Sequence, residues 1–322
     1  MKFRATLTER GCQSLHKAFL PTLEKFGKTC HILLGPDEVF FVQRPVDADG
    51  ANVTVRFTVE RMFSTESFRV ASRHFNLVAF AVDVGLLLKV LKSAVTNAPD
   101  TLDVKLTQCV VAVPGCEEVE NKPFLCFTAR GDGVSLVQEL PIGKPCGSSD
   151  IDSLVAAKDV ASLCPWYLDL ASGSGSAGLA RVVDRMRALS SSMQVALCKT
   201  GDLHIQVAEN SVMLGALFAG LTVYPQDAYS EPQPEEGRQL TAEEKLHEAL
   251  QAGEAMTVHI QVKHLLKILS VSQLSQPSRI LFGIAEGCGH VHVMFVYRDP
   301  NTEAAYDDSL TLGFKLPVRD ED

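Results

Sequence analysis

Four things are missing from this 322-residue sequence. No apolar run reaches the roughly 18 residues that a membrane-spanning helix needs, and the start, MKFRATLTERG, alternates like a strand without the apolar centre of a secretory leader. A soluble intracellular protein is expected. No two of the nine cysteines form a CxxC pair, their number is odd, and most sit in apolar runs such as PFLCFTA and QVALCKT. They read as free thiols buried in a reducing compartment. There is no GxSxG, HExxH or paired-carboxylate signature, and the nine histidines have no evident nucleophile or acid partner. Nothing therefore points to an enzyme, a metal site or a cofactor. Last, there is no excess of positive charge: the formal net charge is −9.

That net charge is unevenly placed. Residues 225–255 hold eight acids and two bases, and the terminal RDED holds three acids and one base. The remainder carries 28 acids against 27 bases and is nearly neutral. Total charge therefore excludes no partner, and what matters is where the bases sit.

The chain is built from a repeated unit of a strand, an amphipathic helix and several strands. Phe3, Ala5 and Leu7 alternate, then a helical pattern covers 9–26, with strand-like runs at 29–34, 38–43 and 52–59. LVAFAV leads into a helix at 83–97, followed by strands at 102–113, 123–129 and 133–140. A Gly-, Pro- and Ser-rich stretch at 141–164 reads as an interdomain connector. The second half repeats the plan, with helices at about 177–190 and 261–274. Residues 225–255 look like an acidic, mobile insertion in which EEKLHEAL forms a short helix. The expected organisation is a first domain over 1–140, the connector at 141–164, and a second domain over 165–322 that carries the insertion.

The four helices share a polarity. Arg10, Lys17 and Lys25 fall on one stripe of the first, opposite Leu15, Phe19 and Leu23. Lys89 and Lys92 face away from Leu87, Leu88 and Leu91 on the second. Arg181 and Arg185 stand one turn apart on the third, and Lys263 and Lys267 on the fourth. With Lys28 and Arg187 the helices carry eleven bases, against only Glu9, Glu24, Asp83 and Asp184. A merely solvated face has no reason to exclude acids; a face presented to phosphates does, because each cation displaces a condensed counterion. Pro21 interrupts the first helix at a cost of about 3 kcal/mol if the helix is regular, so a kink or a split is expected there.

Two motifs suggest chemistry. Gly173, Gly175 and Gly178 have the GxGxxG spacing of a dinucleotide loop. The strand after the following helix, however, turns at KTGD straight into LHIQV, a hairpin rather than a parallel crossover. It also ends in Lys199 and Thr200 instead of an acid for a ribose. Cys288, His290 and His292 alternate along one strand but lack a fourth metal ligand, and an exposed sheet face accounts for them.

MKFRATLTERG, KTCHILLGPDEVFFV, FAVDVGLLLKVLKS, KTGDLHIQV and SLTLGFKLPV resemble the Hus-one subunit family of the nine-one-one checkpoint clamp, especially its plant and algal members. The resemblance runs over nearly the whole chain except 141–164 and 225–255. It implies the α+β DNA sliding-clamp fold: two similar domains, each with two helices packed on antiparallel sheets, helices lining a central hole. It implies a non-catalytic subunit that joins two other clamp-fold chains in a heterotrimeric ring. That ring is placed around double-stranded DNA by a clamp loader at damage sites, where it supports checkpoint signalling and recruits repair enzymes. It implies action in the nucleus, with the cytoplasm as a second compartment. Carried over, Arg10, Lys17, Lys25, Lys89, Lys92, Arg181, Arg185, Lys263 and Lys267 would face the DNA backbone. The edges for ring closure would be 134–140, with Val134, Leu136 and Gln138, and 211–218, with Val212, Leu214 and Ala216. The connector would be where clamp-binding peptides dock. Two other readings stay open: a homotrimeric replication clamp, and a dinucleotide-dependent enzyme built around 173–178.

Overall fold

The computed structural model describes residues 1–45, 50–96, 100–112, 119–131, 133–158, 164–172, 176–209, 211–225, 228, 241–298 and 309–319. The chain divides into two compact units. Met1–Pro45, Val53–Val160 and Asp308–Leu312 form the first; Val46–Asn52, Ala161–Asp307 and Gly313–Asp322 form the second.

In the first unit, alternation buries Phe3, Ala5 and Leu7 on one side of β1 (Lys2–Leu7). Thr8 then caps α1 (Glu9–Ser14), accepting from the Gly11 amide at 3.0 Å. The irregularity expected at Pro21 takes the form of a wider turn just before it. A π-helical turn (Leu15–Phe19) leads directly into α2 (Leu20–Phe26). The Leu20 amide reaches back five residues to the Leu15 carbonyl, so Pro21 arrives where a first helical turn begins and no donor is required of it.

There follow β2 (Thr29–Leu34), β3 (Glu38–Gln43), β4 (Asn52–Thr58), the short α3 (Val59–Met62), β5 (Arg69–Ala71), β6 (Val78–Asp83) and α4 (Val84–Thr96). The unit continues with β7 (Thr101–Ala112), β8 (Val119–Gly131), β9 (Val134–Pro141) and α5 (Ser148–Lys158). Strands β5-β1-β7-β8-β9 are hydrogen-bonded in that order, and β6-β2-β3-β4 in theirs, as antiparallel pairs. Phe3 and Phe127 from the first set, Phe41 and Phe80 from the second, and Leu15 and Leu91 from the helices border one apolar interior space. Both helices thus pack over both sets of strands.

The second unit runs β10 (Tyr167–Asp169), α6 (Ser176–Arg187), β11 (Ser192–Cys198), β12 (Leu203–Glu209), β13 (Val212–Phe218) and β14 (Thr222–Tyr224). It goes on through α7 (Ala242–Gln251), β15 (Ala255–Gln261), α8 (Val262–Ser275), β16 (Arg279–Ile284) and β17 (His290–Val296) to β18 (Leu310–Pro317), whose first residues belong to the first unit. The order β14-β10-β16-β17 repeats β5-β1-β7-β8, and β15-β11-β12-β13 repeats β6-β2-β3-β4. The doubling expected from periodicity is therefore a doubling of topology.

The sequence reading left 141–164 without a helix, and there the structure differs. α5 buries Ile151 and Leu154 to 2% exposure against Leu33, Phe40, Val42 and Ala79. Arg44 ties its middle by donating to the Ser153 carbonyl and hydroxyl, both at 2.9 Å. The insertion's EEKLHEAL is helical as expected, within α7, and a Thr241/Glu244 capping box starts that helix. The expected mobility of the insertion falls mostly on residues 226, 227 and 229–240, which lie outside the described residues.

The KTGD turn between β11 and β12 contains the most constrained glycine. Gly201 has φ +87°, and a Cβ there would lie 2.4 Å from the Leu221 carbonyl oxygen. The Leu221 amide, meanwhile, donates to Gly201 at 2.8 Å. Gly201→Ala is expected to cost about 2 kcal/mol by forcing strained backbone and separating the two segments; a lower urea midpoint at unchanged m-value checks this.

Candidate nucleic-acid interface

Within the first unit, α2 and α4 pack side by side. Leu15, Phe19, Leu20 and Leu23 are buried beneath the first helix, while Arg10, Lys17 and Lys25 are exposed. On α4, Leu87, Leu88, Leu91 and Ala94 are buried and Lys89 and Lys92 exposed. The cations of the two helices act on common ground. The His16 imidazole is held below the usual histidine range by burial first, then by Lys17, and more weakly by Lys92 from the other helix.

The second unit repeats this arrangement with α6 and α8 side by side. Leu179, Val183 and Met186 are buried on α6, with Arg181 and Arg185 exposed. On α8, Val262, Leu265, Ile268 and Leu269 are buried, Lys263 is exposed and Lys267 half-buried. Leu189 is 37% exposed because the helix ends at Arg187 and the chain turns away.

Three of the four acids on these faces have local duties. Asp83 caps α4, accepting from the Leu86 amide at 2.8 Å. Glu9 accepts from Gln13 Nε2 at 2.9 Å, and Asp184 pairs with Arg187 at 2.9 Å one turn on. The remaining field is positive. Exposed cations spread along two pairs of adjacent helices suit diffuse phosphate contact rather than base-edge reading.

The strands expected at the edges are edges. Among the described residues β9 pairs only with β8, and β13 only with β12. Exposure along these strands follows the register. Leu136, Gln138, Leu214 and Ala216 are half-buried, on the side that carries the core, and Gln138 donates to Ser93 at 2.7 Å. Val212 at 53%, Val137 at 56% and Met213 at 61% are open. Nothing is described of the Val134 side chain.

Motifs that suggested chemistry resolve into structure. Gly173 and Gly175 lie outside the described residues. The strands around their helix are antiparallel: β10 pairs with β14 and β16, and β11 turns back into β12 with Leu197 opposite Leu203. A parallel crossover is absent from both places. The expectation of an exposed face at His290 and His292 is overturned: each is only 6% exposed. β17 lies inside the sheet, and His292 meets the Tyr167 hydroxyl through Nδ1 at 3.0 Å. Burial lowers both imidazoles to about 4. Among the described residues no three His, Cys, Asp or Glu side chains stand close enough to hold a metal ion. Of the eight described cysteines, all with free thiols, Cys12, Cys30, Cys126 and Cys198 are buried.

A site the sequence did not reveal lies beside α5. Leu33, Phe40, Leu77 and Val155 line an apolar hollow of about 170 Å³, closed at one side by the turn 35–38. The i, i+3, i+4 spacing of Ile151, Leu154 and Val155 was the available signal.

The comparisons with known proteins agree with this architecture. A match to the family described as Hus1-like protein covers residues 1–308. The checkpoint protein hus1 homolog of Dictyostelium discoideum is 23% identical over 300 residues, 91% of this chain and 94% of that one. Checkpoint protein HUS1 of Homo sapiens is 22% identical over 310 residues, 93% and 96% of the two chains. Among solved structures, the proliferating cellular nuclear antigen of Entamoeba histolytica aligns with a TM-score of 0.56 at 9% identity over 98% of both chains. PCNA from Thermococcus kodakaraensis aligns at 0.55 and 17% identity, over 98% of this chain and 100% of the other. These two likenesses concern fold alone, and the fold is that of the sliding clamps. With the clamp topology in both halves and a match over nearly its whole length, the chain belongs to the Hus1-like protein family.

Proposed function

We propose that the chain is a non-catalytic subunit of a heterotrimeric ring that encircles double-stranded DNA in the damage checkpoint. The supporting observation is the pair of helix pairs, whose outer faces carry nine cations, Lys267 half-buried among them, while three of the four neighbouring acids are used locally. Diffuse backbone contacts of this kind hold a duplex without fixing position along it, as a sliding ring requires. The relatives named as checkpoint proteins support a checkpoint setting; to it the proposal adds action in the nucleus, loading by a clamp loader, and recruitment of repair enzymes. The hollow between α5 and the turn 35–38 is the place such an enzyme's apolar peptide would dock. The edges β9 and β13 would each add a strand from a different clamp-fold chain, removing two exposed ladders at once.

Purification tests this. Co-expressed with the two other clamp-fold chains of its organism, the protein is expected to form a complex with one copy of each. Once loaded, that complex should stay on closed circular DNA in high salt and leave when the circle is cut. A stable homotrimer formed by the chain alone would instead support a replication clamp.

A further inference from the structure

The outer side of the β13 ladder carries a feature that ring closure by backbone pairing does not use. Ile205 is buried in the core, and its neighbours His204 and Gln206 point to the opposite side of the sheet together with their register partners Leu217 and Gly215. Helix α7 stands over this outer side. Between them lies a cavity of about 290 Å³ lined by Met213, Gly215 and Leu217 of the edge strand, His204, and Glu243 and Leu246 of the helix.

Three observations suit this cavity to an incoming side chain. His204 is 8% exposed, yet its Nε2 is buried and, among the described residues, has no hydrogen-bond partner. Met213 is 61% exposed, a large apolar side chain left open at the rim. Glu243 forms no ion pair among the described residues, whereas its neighbour Glu244 is committed to the Thr241 cap. An apolar wall, a carboxylate and a buried acceptor together suit a long side chain with an aliphatic stem and a cationic end. Burial holds the His204 imidazole below the ordinary histidine range, with Asp202 acting against this and Lys245 with it; the neutral ring has one nitrogen to accept with.

We propose that this cavity receives a lysine or arginine from the neighbouring subunit's edge strand, and that α7 thereby selects a foreign subunit over a second copy of this chain. The inference rests on the ring reading above and names the partner chemistry at one of its two joints. The chain's own edge fits the cavity poorly. β9, with sequence VSLVQELP, has no Lys or Arg at all. Its outward residues Ser135, Val137 and Glu139 are all exposed, and they would bring a carboxylate towards Glu243. Opposite charge at the right joint and like charge at the wrong one is how related surfaces are kept from mispairing. An acidic insertion placed beside one edge then separates a hetero-ring from a homo-ring, although both edges offer the same backbone ladder.

The test compares wild type, Glu243→Gln and Glu243→Lys, with binding to each of the two clamp-fold partners measured separately by sedimentation. Glu243 is exposed on a solvent-facing helix, and far-ultraviolet dichroism verifies that both variants keep their fold. Binding to one partner is expected to weaken about tenfold with Gln and about a hundredfold with Lys, the loss shrinking in 0.5 M salt. Binding to the other partner should stay within about twofold. Unchanged binding to both partners, or an equal loss towards both, overturns the role of α7 while leaving the ring intact. A wild-type chain that binds neither partner overturns the ring reading itself, and this inference with it.

Discussion

Rings in which Arg181, Arg185 and Lys263 are all changed to glutamate are expected to bind DNA roughly 10²–10³-fold more weakly at 0.1 M salt, from a change to one subunit only. Each cation that neutralises a phosphate contributes about 0.9 to the slope of log K against log salt, so losing three flattens the slope by nearly three. The three side chains are exposed on α6 and α8, opposite the residues those helices bury. Their replacement should therefore shift folding stability by no more than about 0.5 kcal/mol each. Because the contacts are to backbone, the loss should be the same for every DNA sequence. Titrations at four salt concentrations, with thermal unfolding as the control, decide the matter. An unchanged slope would remove these helices from the DNA-facing surface.

Acid is expected to unfold the second unit early. His290 and His292 are held neutral by burial, and each is lowered to about 4 from an ordinary value of 6.5. The unfolded chain takes up these two protons as the pH falls through 6.5, while the folded chain refuses them until about 4. The stabilisation is thus complete above 6.5 and is lost between 6.5 and 4, on the order of 3 kcal/mol for each ring. Burial lowers His16, His31 and His204 as well, adding to the trend in the same direction. Urea midpoints between pH 7 and pH 4.5 should fall with a slope approaching two protons. In His290→Leu the slope should drop by about one proton, and the unpartnered Nε2 of that ring makes the exchange tolerable at neutral pH. A variant with the wild-type slope would place the effect elsewhere.

How far the molecule can be read from its residues depends on what each signal measures. Period fixes which side of an element is apolar, so the strand–helix doubling and the cationic ridges were legible from the positions of Leu87, Leu91, Leu265 and Leu269. Period does not say what covers the other side. His290 and His292 alternate as a half-exposed strand would, yet β17 is buried on both of its faces, which its period alone does not show. Helix α5 escaped notice because PIGKPCGSS precedes it, and punctuation by Pro and Gly outweighed a short apolar stripe. At Pro21 composition predicts a kink or a split without its form, and the structure supplies one wider turn, Leu15–Phe19, just before the proline. The edges were legible from their place in the repeat, but which of their side chains are open depends on the register, as Met213 and Val137 show.

The buried sulfurs have a consequence under oxidising conditions. Burial pushes the thiols of Cys30 and Cys198 up to about 12, and that of Cys12 to about 11. At neutral pH about one in 10⁴ or fewer of these groups is ionised, and only the thiolate reacts readily with peroxide. Oxidation of these three sulfurs to sulfenic acid is therefore expected to be slow, which protects the core around them. If the chain works in the ring proposed above, its own sulfur chemistry stays out of the signal.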